Sequence, residues 1–211
     1  MDRRRRVNRS IDSISRDADR RILNVGGGTS RQIPVRYHGW IQDLLDIDPA
    51  VNPDIVCDAK RLGTLKPMQY DAIFCSHNLE HFHAHEVPHV LAGFRHLLKP
   101  HGVAHIVVPD MMALFEAVIA GTHDIEDTWY QSSSGPIAFL DVCYGWRKQI
   151  EQGNDYYCHK TGFSETSLTK AIRQAGFTTI YIARDGYNLE AIAFLASPTR
   201  TQKREAGLTC R

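Results

Sequence analysis

Residues 21–28, Arg-Ile-Leu-Asn-Val-Gly-Gly-Gly, carry an apolar strand straight into three glycines. Eighteen positions after Gly28 comes an acid, Asp46, at the end of a second apolar run, Leu44-Leu45-Asp46-Ile47-Asp48. Glycines let a backbone come close to a ligand, and an acid closing the next strand of an α/β unit binds ribose hydroxyls. The layout therefore predicts a nucleotide-type site at the carboxyl end of the first strand. Little helix fits between the two halves of this pattern. The segment Arg31–Gly39 has Pro34 in its middle, Gly39 at its end and no 3.6-residue apolar period. A dinucleotide pyrophosphate uses a helix N-terminus at that place, whereas a nucleoside without phosphate does not.

Further short apolar runs bounded by Gly, Pro or Asp follow at Pro53–Cys57, Tyr70–Cys75 and Ala104–Val108, each read as a buried parallel strand. Val87, Val90, Leu91, Phe94, Leu97 and Leu98 recur on one helical face, with Pro88 in the first turn and a stop at Lys99-Pro100-His101-Gly102. A second helix runs from an Asp110 N-cap through Ile119, with Gly121 just past its end. Leu168, Ala171, Ile172 and Ala175 mark a third, closed by Gly176. Thr178–Ala183 and Leu189–Ala196 are joined by so short a link that an antiparallel hairpin is expected. Residues 122–160 are expected to be an irregular, partly helical insertion over one end of the sheet. Their aromatic residues form either a binding lid or a satellite core. The organisation is then a polar tail over 1–20, with a short helix near Ile11 and Ile14, one domain over 21–197, and a polar tail over 198–211.

A net charge of +1 argues against a whole-surface nucleic-acid partner. The five cysteines (57, 75, 143, 158 and 210) show no C-x-x-C pair, which excludes a zinc knuckle and suits a reducing cytoplasm. Arg3–Arg6 has no apolar stretch behind it, so no secretory signal is expected, and no run approaches a membrane span. The arginine run reads as a solvated tail.

Five motifs in order resemble the class I S-adenosylmethionine-dependent methyltransferases. Val25-Gly26-Gly27-Gly28 resembles the first motif, and Asp46 the acid after strand two. Cys57-Asp58-Ala59 resembles the segment beside the adenine, Tyr70–Phe82 the fourth-strand motif, and Leu97–Gly102 the turn before strand five. Leu79-Glu80-His81 and the shortened first helix are similar to a bacterial "methyltransferase domain" group, some of whose members act on sugars or lipopolysaccharide precursors. The resemblance implies a Rossmann-like three-layer α/β sandwich. Its seven-stranded sheet is mostly parallel, with an antiparallel last strand. It also implies S-adenosyl-L-methionine as cofactor, with Gly26, Gly27, Gly28, Asp46, Ile47, Asp58, Ala59 and Ser76 at the cofactor. Asn24 stands where the family has an acid, and Ser30 where it has a third glycine.

Methyl transfer needs an acceptor held at near-attack distance and a route for its proton. His77, just past the fourth strand and with an ordinary pKa near neutrality, is the first candidate general base, against a plain structural histidine. His159 is the second candidate, expected to face an acceptor pocket lined by Tyr144 and Trp146. Within thirteen positions lie His77, Glu80, His81, His83, His85 and His89, and His159 could approach them from the insertion. No metal ligand is assigned, because His77 stands where metal-dependent relatives have a glutamate. The expectation is a cytoplasmic enzyme methylating a small-molecule or glycan-type acceptor, most readily at oxygen. The alternatives are a binding or regulatory protein on the same fold that has lost turnover, and an NAD-type oxidoreductase.

Overall fold

The computed structural model describes residues 19–132 and 135–208. The expected helix near Ile11 and Ile14, Arg3–Arg6 and Cys210 lie outside the described residues. The strands are β1 (Arg21–Val25), β2 (Ile41–Asp46), β3 (Ile55–Val56), β4 (Tyr70–Ser76), β5 (Leu98–Pro109), β6 (Thr128–Ser132), β7 (Gly135–Ala138), β8 (Thr179–Asp185) and β9 (Asn188–Phe194). Seven of them form one sheet in the order β3-β2-β1-β4-β5-β9-β8. All run parallel except β9, which is antiparallel to both β5 and β8. The chain starts in the middle of the sheet, moves outward through β2 and β3, then returns to the other side of β1 at β4. This reversal opens a crevice beyond the carboxyl ends of β1 and β4, the place where open α/β sheets take ligands.

The helices are α1 (Val87–Leu97), α2 (Met111–Ile119), α3 (Phe139–Tyr144), α4 (Arg147–Glu151), α5 (Glu165–Gln174) and α6 (Arg200–Glu205). Asp110 caps α2, its Oδ1 accepting from the Met112 N–H at 3.0 Å, as expected from the sequence. Between Gly28 and β2 there is only a single 3-10 turn, Val35–Tyr37. No described helix is long and apolar enough to cross a membrane.

Alternation along the strands divides the core in two. Leu23, Ile73, Ala104 and Ile106 face a large cluster with Val90, Leu91 and Phe94 of α1 and Leu168 and Ile172 of α5. Their neighbours Ile22, Ala72, Phe74 and Val103 face the other side. Among the described residues the cover there is thin. Tyr37 from the 3-10 turn and Ala206 after α6 are buried against the sheet, with Trp40 and Leu208 packed alongside. The expected polar tail at 198–211 thus contains a short helix, capped by Thr199 Oγ1 on the Gln202 N–H at 3.2 Å. Its first turns are polar enough to read as a tail, and its contribution rests on the few apolar residues that follow.

Two other boundaries differ from the sequence reading. Leu98 begins β5 rather than ending α1, and Lys99–Gly102 is an irregularity inside the strand, since Tyr70 pairs with Leu98 and Ala72 with Val103. The insertion contains a two-stranded antiparallel sheet of β6 and β7, followed by α3 and α4. Pro136 and the Ser-Gly composition around it hid the hairpin from a pattern search.

Gly93 sits where α1 crosses the 3-10 turns at Ala59–Thr64, and a Cβ there would lie 2.5 Å from Leu62 Cβ. Gly93→Ala raises helix propensity by about 1 kcal/mol but forces that contact apart. The substitution should therefore destabilise the fold by about 1–3 kcal/mol in urea unfolding. A stabilised variant would contradict the packing described here.

Candidate functional site

The crevice holds a cavity of about 210 Å³. Gly26 and Gly28 contribute from the end of β1, and Asp46, Ile47 and Asp48 from the end of β2. Asp58 and Ala59 line it from the turn after β3, and His77 and Asn78 from beyond β4. The insertion adds Tyr156, Tyr157 and Lys160.

Asp46 organises the mouth. Its Oδ2 accepts from the Gly28 N–H at 2.9 Å and its Oδ1 from the Asp48 N–H at 3.0 Å. The residue is only 9% exposed. Each carboxylate oxygen keeps a further lone pair, so a ribose diol can still bind it. The Gly28 N–H is turned to a carboxylate, and no helix follows it. An incoming pyrophosphate would therefore meet negative charge where a dinucleotide site supplies a helix N-terminus. At Gly28, φ is +57° and nothing stands within 4 Å of where a Cβ would lie, so the loop is open at that point.

The other two glycines have different neighbours. A Cβ on Gly26 would fall 2.0 Å from Asn78 Nδ2, so Gly26 makes room for the Asn78 side chain. Gly27 does not line the cavity. It is packed inward, where a Cβ would meet Asn24 Nδ2 and the Ser30 carbonyl oxygen, both at 2.7 Å. Asn24 is 2% exposed and donates from Nδ2 to the Ser30 carbonyl at 3.2 Å. Both departures from the family pattern thus meet in one hydrogen bond that closes the glycine loop. Asp58 lines the cavity and also caps its own turn, Oδ1 accepting from the Lys60 N–H at 2.9 Å. Ser76, the last residue of β4, is not on the cavity wall.

His77 follows Ser76 in a left-handed conformation, φ +49°, rare for a residue with a Cβ. Its N–H donates to the Val107 carbonyl at 2.9 Å, which anchors the turn to β5. Its ring lies half-exposed on the cavity wall, and Nδ1 lies 3.4 Å from Oε1 of Glu80. Burial lowers the affinity of this ring for a proton, but the Glu80 carboxylate outweighs it and the pKa is raised. Glu80 is 1% exposed. Burial pushes its carboxyl up, yet His77, His81 and His159 together hold it below the ordinary value.

His159 does not face the open cavity. Its Nδ1 lies 2.7 Å from the Val142 carbonyl, and its Nε2 turns to Glu80. Desolvation by burial lowers its pKa. Tyr144 and Trp146, expected to line the acceptor pocket, do not. Tyr144 is exposed, and Trp146 packs edge-on against Tyr157 at 5.7 Å. The insertion's aromatics divide between a core and the cavity wall. Trp129 and Phe139 build a satellite core with Leu114 and Val142, while Tyr156 and Tyr157 wall the cavity. Tyr156 and Tyr157 were among the aromatics expected of a lid, whereas Asn78 and Lys160 on the cavity wall were not singled out from sequence. Signals for these two were present, since Asn78 follows His77 and Lys160 follows His159.

Asn24→Asp would remove the only donor the Ser30 carbonyl receives from this side chain and would bury a carboxylate. The variant should lose about 3 kcal/mol of stability in urea titration with an unchanged slope. Wild-type stability would show that the loop does not depend on this bond.

The methyltransferase-domain family matches residues 1–182. No protein of curated function matches the chain. Solved structures do match. One is an S-adenosylmethionine-dependent methyltransferase from Archaeoglobus fulgidus, 16% identical over 89% of this chain and 90% of that one, with a TM-score of 0.55. Another, from Thermotoga maritima, is described as a possible histamine N-methyltransferase. It is 14% identical over 83% of this chain and 82% of that one, TM-score 0.54. A putative O-methyltransferase from Nostoc punctiforme is 10% identical over 87% of this chain and 54% of that one, TM-score 0.54. At these identities the structures speak for the fold alone. The open glycine turn and the anchored carboxylate fit a nucleoside-bearing group without phosphates. The chain belongs to the methyltransferase-domain family, and its cofactor is S-adenosylmethionine.

Proposed function

We propose that the protein transfers a methyl group to an oxygen of a small-molecule or glycan-type acceptor, with His77 as the general base. The observation that carries this reading is the position of His77. Its exposed ring shares one cavity with Gly28, Asp46 and Asp58, at the carboxyl end of β4. When bound, S-adenosylmethionine would supply an electrophilic methyl on a sulfonium, with S-adenosylhomocysteine as the leaving group when an acceptor oxygen attacks that carbon in line. Asp46 accepts from the ribose hydroxyls, and Asp58 and Ala59 flank the adenine. Gly26 and Gly28 line the loop side of the cavity. Tyr156 and Tyr157 cover it and exclude water. His77 Nδ1 faces Glu80, so Nε2 is the atom that takes the acceptor's proton. The net charge of +1 supports an acceptor other than a nucleic acid.

S-adenosylhomocysteine at 100 times its Kd should stabilise the protein by about 2.7 kcal/mol, and NAD should not. Stabilisation by NAD alone would overturn the cofactor assignment. Once an acceptor panel has yielded turnover, His77→Ala should lower kcat by about 10²- to 10⁴-fold while leaving S-adenosylhomocysteine affinity within a few fold. Unchanged kcat would remove His77 from the chemistry.

A further inference from the structure

Behind His77 lies a buried carboxylate whose contact with that ring does not satisfy it. Glu80 is 1% exposed, and neither of its carboxylate oxygens has a hydrogen-bond partner. Its backbone carbonyl is occupied by the N–H groups of Lys160 and Thr161, at 2.8 and 3.2 Å, which fix the insertion's end against the turn after β4. Two histidines meet it there. His81 Nδ1 lies 3.0 Å from the Cys158 carbonyl, and His159 Nδ1 lies 2.7 Å from the Val142 carbonyl. A carbonyl oxygen only accepts, so Nδ1 carries the proton in both rings. In the neutral rings Nε2 is left as a bare lone pair. The rings pack edge-on at 4.7 Å, and His159 Nε2 is 4.0 Å from Glu80 Oε1.

The cluster is thus rich in acceptors, and the one donor that faces the carboxylate is His77 Nδ1, at a long 3.4 Å from Oε1. A carboxylate this buried with only one long contact is under-satisfied, and a cation would relieve it. Histidines whose Nδ1–H is held by a backbone carbonyl are pre-set as Nε2 metal ligands, the arrangement that orients imidazoles at metal centres. One ligand atom from each of Glu80, His81 and His159 lies within 4.8 Å of the other two. Ligands about 2.0–2.2 Å from one tetrahedral ion stand somewhat closer than this, and small side-chain rotations supply the difference.

We propose that Glu80, His81 and His159 bind one divalent first-row transition-metal ion, zinc above all. Two imidazoles and one carboxylate suit zinc and its neighbours and disfavour magnesium or calcium. The ion would join the turn after β4 to the end of the insertion, and so fix the wall that carries His77 and Lys160. Three protein ligands leave a coordination position for water or an acceptor oxygen, on the side where His81 borders the cavity. Metal binding is measured without cofactor or acceptor, so its failure would leave the transferase reading standing, and the reverse.

The test uses full-length protein without a polyhistidine tag, dialysed against chelator and titrated with zinc chloride in a calorimeter. One ion per chain should bind, with a Kd in the micromolar range or tighter. His81→Ala and His159→Ala should each weaken binding by about 100-fold or more, since each removes a ligand. Replacing both His83 and His85 by Ala should leave it intact, although their exposed rings stack at 5.6 Å. Should the ligand variants fail to fold, cobalt(II) added to wild-type protein should give the visible bands of low-coordinate cobalt bound by nitrogen and oxygen. Wild-type protein that neither binds zinc nor gives the cobalt bands would overturn the site. So would affinity that survives both ligand substitutions, or that disappears with His83 and His85. In those cases the cluster is a proton-sharing network only.

Discussion

The Asp46 carboxylate sets the shape and charge of the crevice mouth. By taking the N–H groups of Gly28 and Asp48, it fixes the glycine loop and points fixed negative charge at the mouth. A helix starting after Gly28 would instead offer free N–H groups and a positive dipole end, which is what a pyrophosphate needs. The single 3-10 turn that replaces that helix therefore has chemical as well as structural consequences. The loop is closed from behind by Asn24, whose amide can donate to the Ser30 carbonyl where an acid could not.

The same economy of helix shapes the rest of the sheet. One face is packed by α1, α5 and the 3-10 turns of 59–64. The other is covered by Tyr37, Trp40 and the residues after α6. The insertion lies over the carboxyl end of the sheet. There a hairpin and two short helices bring Tyr156, Tyr157, His159 and Lys160 to the carboxyl end of β4. One side of the cavity is thus built from strand ends, and the other from an appended segment.

Much of this was legible beforehand, and the parts that were not share a cause. The order of strands, the reversed β9, the missing first helix and the Asp110 cap each leave a local pattern of apolar period, turn residue or cap. Asp46, Gly26, Gly28, Asp58 and His77 occupy fixed offsets from strand ends, so topology alone brings them together. The β6–β7 hairpin, α6 and the irregular start of β5 carry no such pattern, because short elements are set by what they pack against. The direction of a side chain was hidden for the same reason. His159 turns to Glu80 rather than to the cavity, and Tyr156 and Tyr157 take the places expected of Tyr144 and Trp146. Gly27 lies in the same glycine run as its neighbours and faces the core.

The central claim is that this mouth takes a nucleoside through one anchored carboxylate and bare main chain. A crystal structure with S-adenosylhomocysteine bound tests it most directly. The account predicts both ribose hydroxyls within hydrogen-bond distance of Asp46, with the Gly28 N–H still on that carboxylate. A ligand whose ribose lies away from Asp46, with the Gly28 N–H released to meet it, would contradict the account.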